Sequence, residues 1–160
     1  MASDSFIKIG DIKGESHDDK HKDEIDIQSW SWGVSQAGTM SYGGGGGAGK
    51  ASFQDIHFTH HVDKASPVLA LKCATGEHIK EALLTVRKAG KGQQEFYVVK
   101  LSDLLVSSVQ TSGADAQGVP MESVSLNYSK IHLDYKPQKA DGSLDAPVAF
   151  KYDLKANKQY

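Results

Sequence analysis

The feature that most constrains this chain is a two-residue alternation of apolar and polar side chains that recurs along nearly its whole length. Phe6-Ile7-Lys8-Ile9, Ile56/Phe58/His60/Val62, Ala82/Leu84/Val86, Val124/Leu126/Tyr128 and Val148/Phe150/Tyr152/Leu154 all carry it. Side chains alternate between the faces of a strand, so this period predicts strands with one buried face. Ala82-Leu83-Leu84 and Phe96-Tyr97-Val98-Val99 are apolar on both parities. Such strands need cover on both sides, and neighbouring subunits are one source of it. In Ile25 to Val34 the alternation slips by one residue near Gln28-Ser29, as a bend or β-bulge would make it do. Ile131, Leu133 and Tyr135 alternate in the parity opposite to Val124, Leu126 and Tyr128.

One segment reads as a helix. Ser66 is the expected cap, Pro67 fits the first helical position, and Gly76 can end it. The resulting fold class is mainly β: an antiparallel β-barrel or two packed sheets, of roughly seven to nine strands, with one short α-helix. No repeat or linker divides the 160 residues, which predicts a single domain spanning 1–160. Two stretches are expected to be loops. Asp11 to Glu24, with six acids and three lysines, reads as a solvated connector, with His17 and His21 exposed. Residues 38–50, with the run Gly43 to Gly47 and then Gly49 and Lys50, read as an extended loop or hairpin tip, since glycine at this density disfavours a strand interior.

Composition excludes several functions. The net charge is −2 and Arg87 is the single arginine, so no cationic face for nucleic acid is expected. Cys73 is the single cysteine, which excludes an internal disulfide and a thiolate zinc box. No apolar run is long enough to span a bilayer, so no membrane insertion is expected. The N-terminus lacks the basic and apolar regions of a cleavable signal peptide, which predicts synthesis in the cytoplasm.

Gly44 to Lys50 nearly fits a phosphate-binding loop. Ala51 stands where the magnesium-binding hydroxyl belongs, and strand-like residues follow where a helix must start. His57, His60 and His61 are the closest histidine set, but on a strand His60 faces away from the other two, and no metal is expected. No nucleophile–base motif is visible, Cys73 sits in an apolar helical stretch, and the paired acids Asp18-Asp19 have nothing apolar beside them. No enzyme activity and no cofactor are therefore expected. Trp30 and Trp32 share a face, which suits a core or interface position; carbohydrate stacking is the alternative, and would make the chain a sugar- or small-molecule-binding β module.

An ordered set of segments is familiar. It comprises Phe6 to Ser16, Ser29-Trp30-Ser31-Trp32-Gly33, Phe58-Thr59, Asp63-Lys64-Ala65-Ser66-Pro67 and Val86-Arg87-Lys88-Ala89-Gly90. It continues through Val106-Ser107-Ser108, Val124-Ser125-Leu126-Asn127, Tyr135-Lys136-Pro137-Gln138 and Tyr152 to Lys158. Together they resemble the hemolysin-coregulated protein family, Hcp. The resemblance implies a tube protein of the bacterial type VI secretion system: a β-barrel-like subunit that forms hexameric rings around a wide channel. Rings stack into the inner tube, which a contractile sheath propels from the cell beneath the spike protein VgrG, with small effectors riding inside. The protein would start in the cytoplasm and leave without a signal peptide. On that reading Ser29 and Ser31 are candidate channel-facing residues. Gly43, Gly44, Gly45, Gly46, Gly47, Gly49 and Lys50 form a candidate ring-stacking loop.

Overall fold

The computed structural model describes residues 3–38, 40, 49–89, 92–116 and 118–160. In chain order the strands are β1 (Ser3–Ile9), β2 (Ile25–Asp26), β3 (Ser29–Ser31), β4 (Val34–Ser35), β5 (Ser52–Phe53) and β6 (Ile56–His61). After helix α1 (Ser66–Thr75) come β7 (Ile79–Lys88), β8 (Glu95–Ser112), β9 (Met121–Tyr135), β10 (Val148–Asp153) and β11 (Lys158–Gln159). All pairings are antiparallel, as the fold class expected from sequence requires. The main sheet runs β11-β10-β9-β8-β7-β1-β2, and a branch carries β6 and then β3 off β9. The ladder is rolled rather than closed.

The long hairpin β8–β9 does the rolling. Its first half pairs β8 with β7, ending at Ile79 opposite Leu104, while the N-terminal half of β9 pairs with β6. The turn from one sheet to the other falls at Asp103, whose φ is +52°. Left-handed backbone inside a strand redirects it, and aspartate tolerates that conformation through local hydrogen bonds. The Asp103 carboxylate is also held from distant parts of the chain, accepting from Ser129 Oγ (3.2 Å) and Lys155 Nζ (2.7 Å). The buried set in β8 accordingly changes from Val99 and Leu101 to Leu104 and Val106. In β9 it changes from Leu126 and Tyr128 to Ile131. The opposed parities in the sequence are therefore one continuous strand turning a corner. A register shift between Val106 and Ser108 bends β8 further.

The slip near Gln28 has a similar cause. Ile25 and Asp26 pair with β1, whereas Ser29 to Ser31 pair with β6. Between them Ile27 N–H donates to Ser5 O (3.0 Å) and Gln28 N–H to Thr59 O (2.8 Å). The segment changes partners across the gap in the roll.

The core lies inside the roll. Phe58, Ile7, Ile9, Ile25, Ile56, Leu84, Leu101, Leu126 and Ile131 are almost wholly buried, each contributing about 1.5–3 kcal/mol of hydrophobic transfer free energy. Helix α1 packs on β8 through Leu69. Two-sided burial is incomplete: Leu83, Val98 and Leu105 stay half-buried on the outer side.

Ser66 is not the helix cap. Ala65 occupies that position, and Ser66 Oγ instead accepts from Asp63 N–H (3.1 Å) while Asp63 Oδ1 accepts from Ala65 N–H (2.9 Å). A turn before the helix captures the serine. Gly76 does end the helix, in the left-handed conformation with φ +65°.

The acidic connector also departs from expectation, because it is folded onto the barrel rather than solvated. Gly14 N–H donates to Asp23 O (2.8 Å) and Ser16 N–H to Glu24 O (3.0 Å), making a small hairpin. Ile12, Ser16 and His21 are buried, while His17 is exposed as expected. The sequence shows only a run of charges there; the missing information is that their partners, Arg87 and Glu95, come from β7 and β8.

Candidate assembly and channel surfaces

Strands β3, β6, β9 and the C-terminal half of β8 form a four-stranded sheet whose two faces differ completely. Directly opposed residues in antiparallel strands share a face. One row across the sheet reads Trp30, Phe58, Val124, Val109, and it faces the core. The rows beside it read Ser31, His57, Ser125, Ser108 and Ser29, Thr59, Ser123, Gln110, and they face away from it. Ser29, Ser31, His57, Ser123 and Gln110 are exposed. No side chain in these two rows is a lysine, an arginine or a carboxylate.

Hydrogen bonds tie the rows together. Ser108 Oγ donates to Ser125 Oγ (2.8 Å), and the Ser125 hydroxyl and His57 Nδ1 are bonded at 2.6 Å. Ser29 Oγ and Thr59 Oγ1 are bonded at 2.6 Å. At the margin, Asp55 accepts from Ser107 Oγ (2.6 Å) and Asn127 Nδ2 (2.8 Å). The result is a smooth wall of small hydroxyl groups, held in place by one another.

Both edges of this sheet are unpaired among the described residues. Among the described residues β3 pairs only with β6, and β8 beyond Leu104 pairs only with β9. Unpaired strand edges are sites for pairing with another chain. The sequence pointed to Ser29 and Ser31 on this face but missed His57, Thr59, Ser108, Gln110, Ser123 and Ser125. Their alternation with Ile56, Phe58, Val124 and Leu126 was visible strand by strand; their lateral alignment was not.

Trp30 and Trp32 sit inward. Trp30 stacks on Tyr97 with ring centroids 5.2 Å apart. Trp32 Nε1 donates to Tyr128 Oη (2.6 Å), whose hydroxyl donates to Gln54 O (2.8 Å). Burial pushes the Tyr128 phenol up to about 12, so it stays a neutral donor. These rings are used in packing, which leaves no open stacking platform at Trp30.

The base of the glycine-rich loop is a hairpin stem. Val34 pairs with Phe53 and Ser35 with Ser52, and Gln36 Nε2 donates to Gly49 O (2.7 Å). Lys50 is exposed beside a small cleft of about 130 Å³ lined by Phe53, Tyr152, Leu154 and Asn157. A strand, β5, follows it, where a phosphate-binding loop would need a helix. Gly43, Gly44, Gly45, Gly46 and Gly47 lie outside the described residues.

The histidines do not converge. His57 and His61 are exposed on one side of β6, and buried His60 on the other bonds Glu122 Oε1 (2.8 Å). Cys73 packs half-buried against the core from α1.

An antiparallel β-roll with one short helix, and with a sheet whose outer rows are polar and uncharged, defines the class: a mainly β protein of the roll type. The model of the family described as "Type VI secretion system effector, Hcp" matches residues 6–135. Protein hcp1 of Pseudomonas aeruginosa is 49% identical over 161 aligned residues, covering 99% of each chain. A solved structure described as that of a type six secretion system protein superposes with a TM-score of 0.94 at 30% identity, covering 99% of this chain and 100% of that one. The crystal structure of Hcp1 from Salmonella typhimurium superposes at 0.80 with 36% identity, covering the whole of both chains. The chain belongs to the Hcp family of type VI secretion proteins, a family of structural, secreted tube proteins. No helix among the described residues is long and apolar enough to cross a membrane.

Proposed function

We propose that this chain is the ring-forming subunit of a type VI inner tube, with the Ser29/Ser31 face turned to the channel. The observation that carries the reading is the four-stranded sheet itself. Its two outward rows are small, polar and uncharged, and its two edges are unpaired, on opposite sides, among the described residues. Copies placed edge to edge extend the sheet laterally, and a heterologous contact of this kind closes into a ring when the rotation between copies divides a full turn. A hydroxyl wall without fixed charge suits passage of small effector proteins of varied charge, which it contacts through hydrogen bonds and water.

Stacking rings need a second heterologous contact that does not close. We assign it to residues 38–50, supported by the paired stem Val34–Ser35 and Ser52–Phe53 on either side of them in sequence. The same reading gives the spike protein VgrG at the tube's tip, the contractile sheath outside it, a cytoplasmic origin, and export with the tube. It assigns the chain no catalytic step. Negative-stain imaging of the purified protein tests the reading: six-fold rings are expected, and a persistent monomer at high concentration would overturn it.

A further inference from the structure

The buried histidine of the connector lies between two carboxylates. His21 Nδ1 lies 3.0 Å from Glu24 Oε2 and Nε2 lies 2.7 Å from Glu95 Oε1. A neutral imidazole has one donor and one acceptor nitrogen, and a carboxylate only accepts. With both carboxylates ionised, both bonds form together only when the ring is an imidazolium. Its side chain is 8% exposed and stacks on Phe6, with ring centroids 4.5 Å apart and planes 7° from parallel. The three residues belong to different parts of the fold: His21 and Glu24 to the connector, Glu95 to the start of β8.

We propose that His21 is a proton-dependent latch, which as an imidazolium clamps the 11–24 connector to β1 and β8 and on losing its proton lets the connector loosen. The charged groups around it are Asp18 and Glu24 of the connector, Asp4 of β1, Asp26 of β2, Arg87 of β7 and Glu95 of β8. Arg87 is occupied by Asp18 and lies 4.8 Å from the centre of the same Phe6 ring, so it is not positioned to replace the imidazolium between Glu24 and Glu95. The connector also supplies Glu15 to a groove of about 670 Å³ shared with Asp4, Asp26 and Asp63, so loosening it opens that groove.

Two substitutions make the idea testable. In Glu95→Gln the amide N–H donates to a bare Nε2 while Nδ1–H donates to Glu24, so a neutral His21 is fully bonded. In His21→Gln the two N–H donors sit on a single nitrogen and do not reproduce the separate Nδ1 and Nε2 positions that face the two carboxylates. The readout is trypsin cleavage after Lys20 and Lys22, normalised to an unfolded reference peptide, from about pH 6 to pH 9. The wild type is expected to be cleaved about tenfold faster at the upper end, the effect of one lost charge-assisted hydrogen bond. Glu95→Gln is expected to stay protected throughout, and His21→Gln to be cleaved quickly throughout. Constant protection of the wild type, a Glu95→Gln profile rising in parallel with it, or a His21→Gln variant as protected as the wild type at low pH would each overturn the proposal. So would nitrogen-correlation NMR showing one bare ring nitrogen in the wild type at about pH 6.

Discussion

The one arginine of the chain shows how much a single side chain carries. Arg87 is 2% exposed, yet its two terminal nitrogens both bond the Asp18 carboxylate, Nη1 at 2.8 Å to Oδ2 and Nη2 to Oδ1. A guanidinium presents its donors as a planar fork that fits a carboxylate, which lysine does not. The Arg87 hydrogen bonds hold the Asp18 carboxyl down from 3.8 to about 2, aided by the backbone N–H groups of Lys20 and His21. A depressed folded value means the interaction is present in full above pH 3.8 and is lost as pH falls through about 2. Melting temperatures recorded through that acid range should therefore fall more steeply for the wild type than for Asp18→Asn. The sequence displayed both residues, but they are 69 positions apart and only folding brings them together.

At the scale of elements, the connector hairpin depends on Gly14. A Cβ built there would lie 2.5 Å from Glu24 O and 2.8 Å from its carbonyl carbon, both backbone atoms of the opposing arm. Backbone on both sides cannot move aside cheaply. Gly14→Ala should destabilise the protein by about 1–3 kcal/mol, read by urea unfolding, with raised hydrogen exchange in the connector before the barrel strands. Strand existence was legible because each strand has its own period, as Ile56, Phe58 and His60 in β6 illustrate. The helix was legible from Pro67 and Gly76. The folded connector was not: a run of acids and lysines looks the same whether water or a buried arginine neutralises it.

Across the whole molecule, the two surfaces assigned to assembly should separate by mutation. Deleting residues 40–49 removes the glycine-rich segment between Val34–Ser35 and Ser52–Phe53 and takes no residue from the four-stranded sheet. Rings should persist by microscopy while stacked tubes and secretion are lost; unaffected tubes would remove the loop from the stacking contact. Ser31→Gln adds bulk at an exposed position opposite His57 without adding charge. Ring formation should survive and co-purification of small effectors should fall. Retention of cargo at wild-type levels would take Ser31 off the channel wall.

The alternating period determined a mainly β chain, Pro67 and Gly76 marked its short helix, and the ordered motifs from Phe6 to Lys158 determined its family. These are local properties: a period or a motif is read within a few residues. Only the tertiary structure decided that Ser31, His57, Ser125 and Ser108 stand in one row, and that His21 lies between Glu24 and Glu95. Those placements depend on strand register and on the left-handed corner at Asp103, which join residues far apart along the chain through packing that no short window of sequence contains.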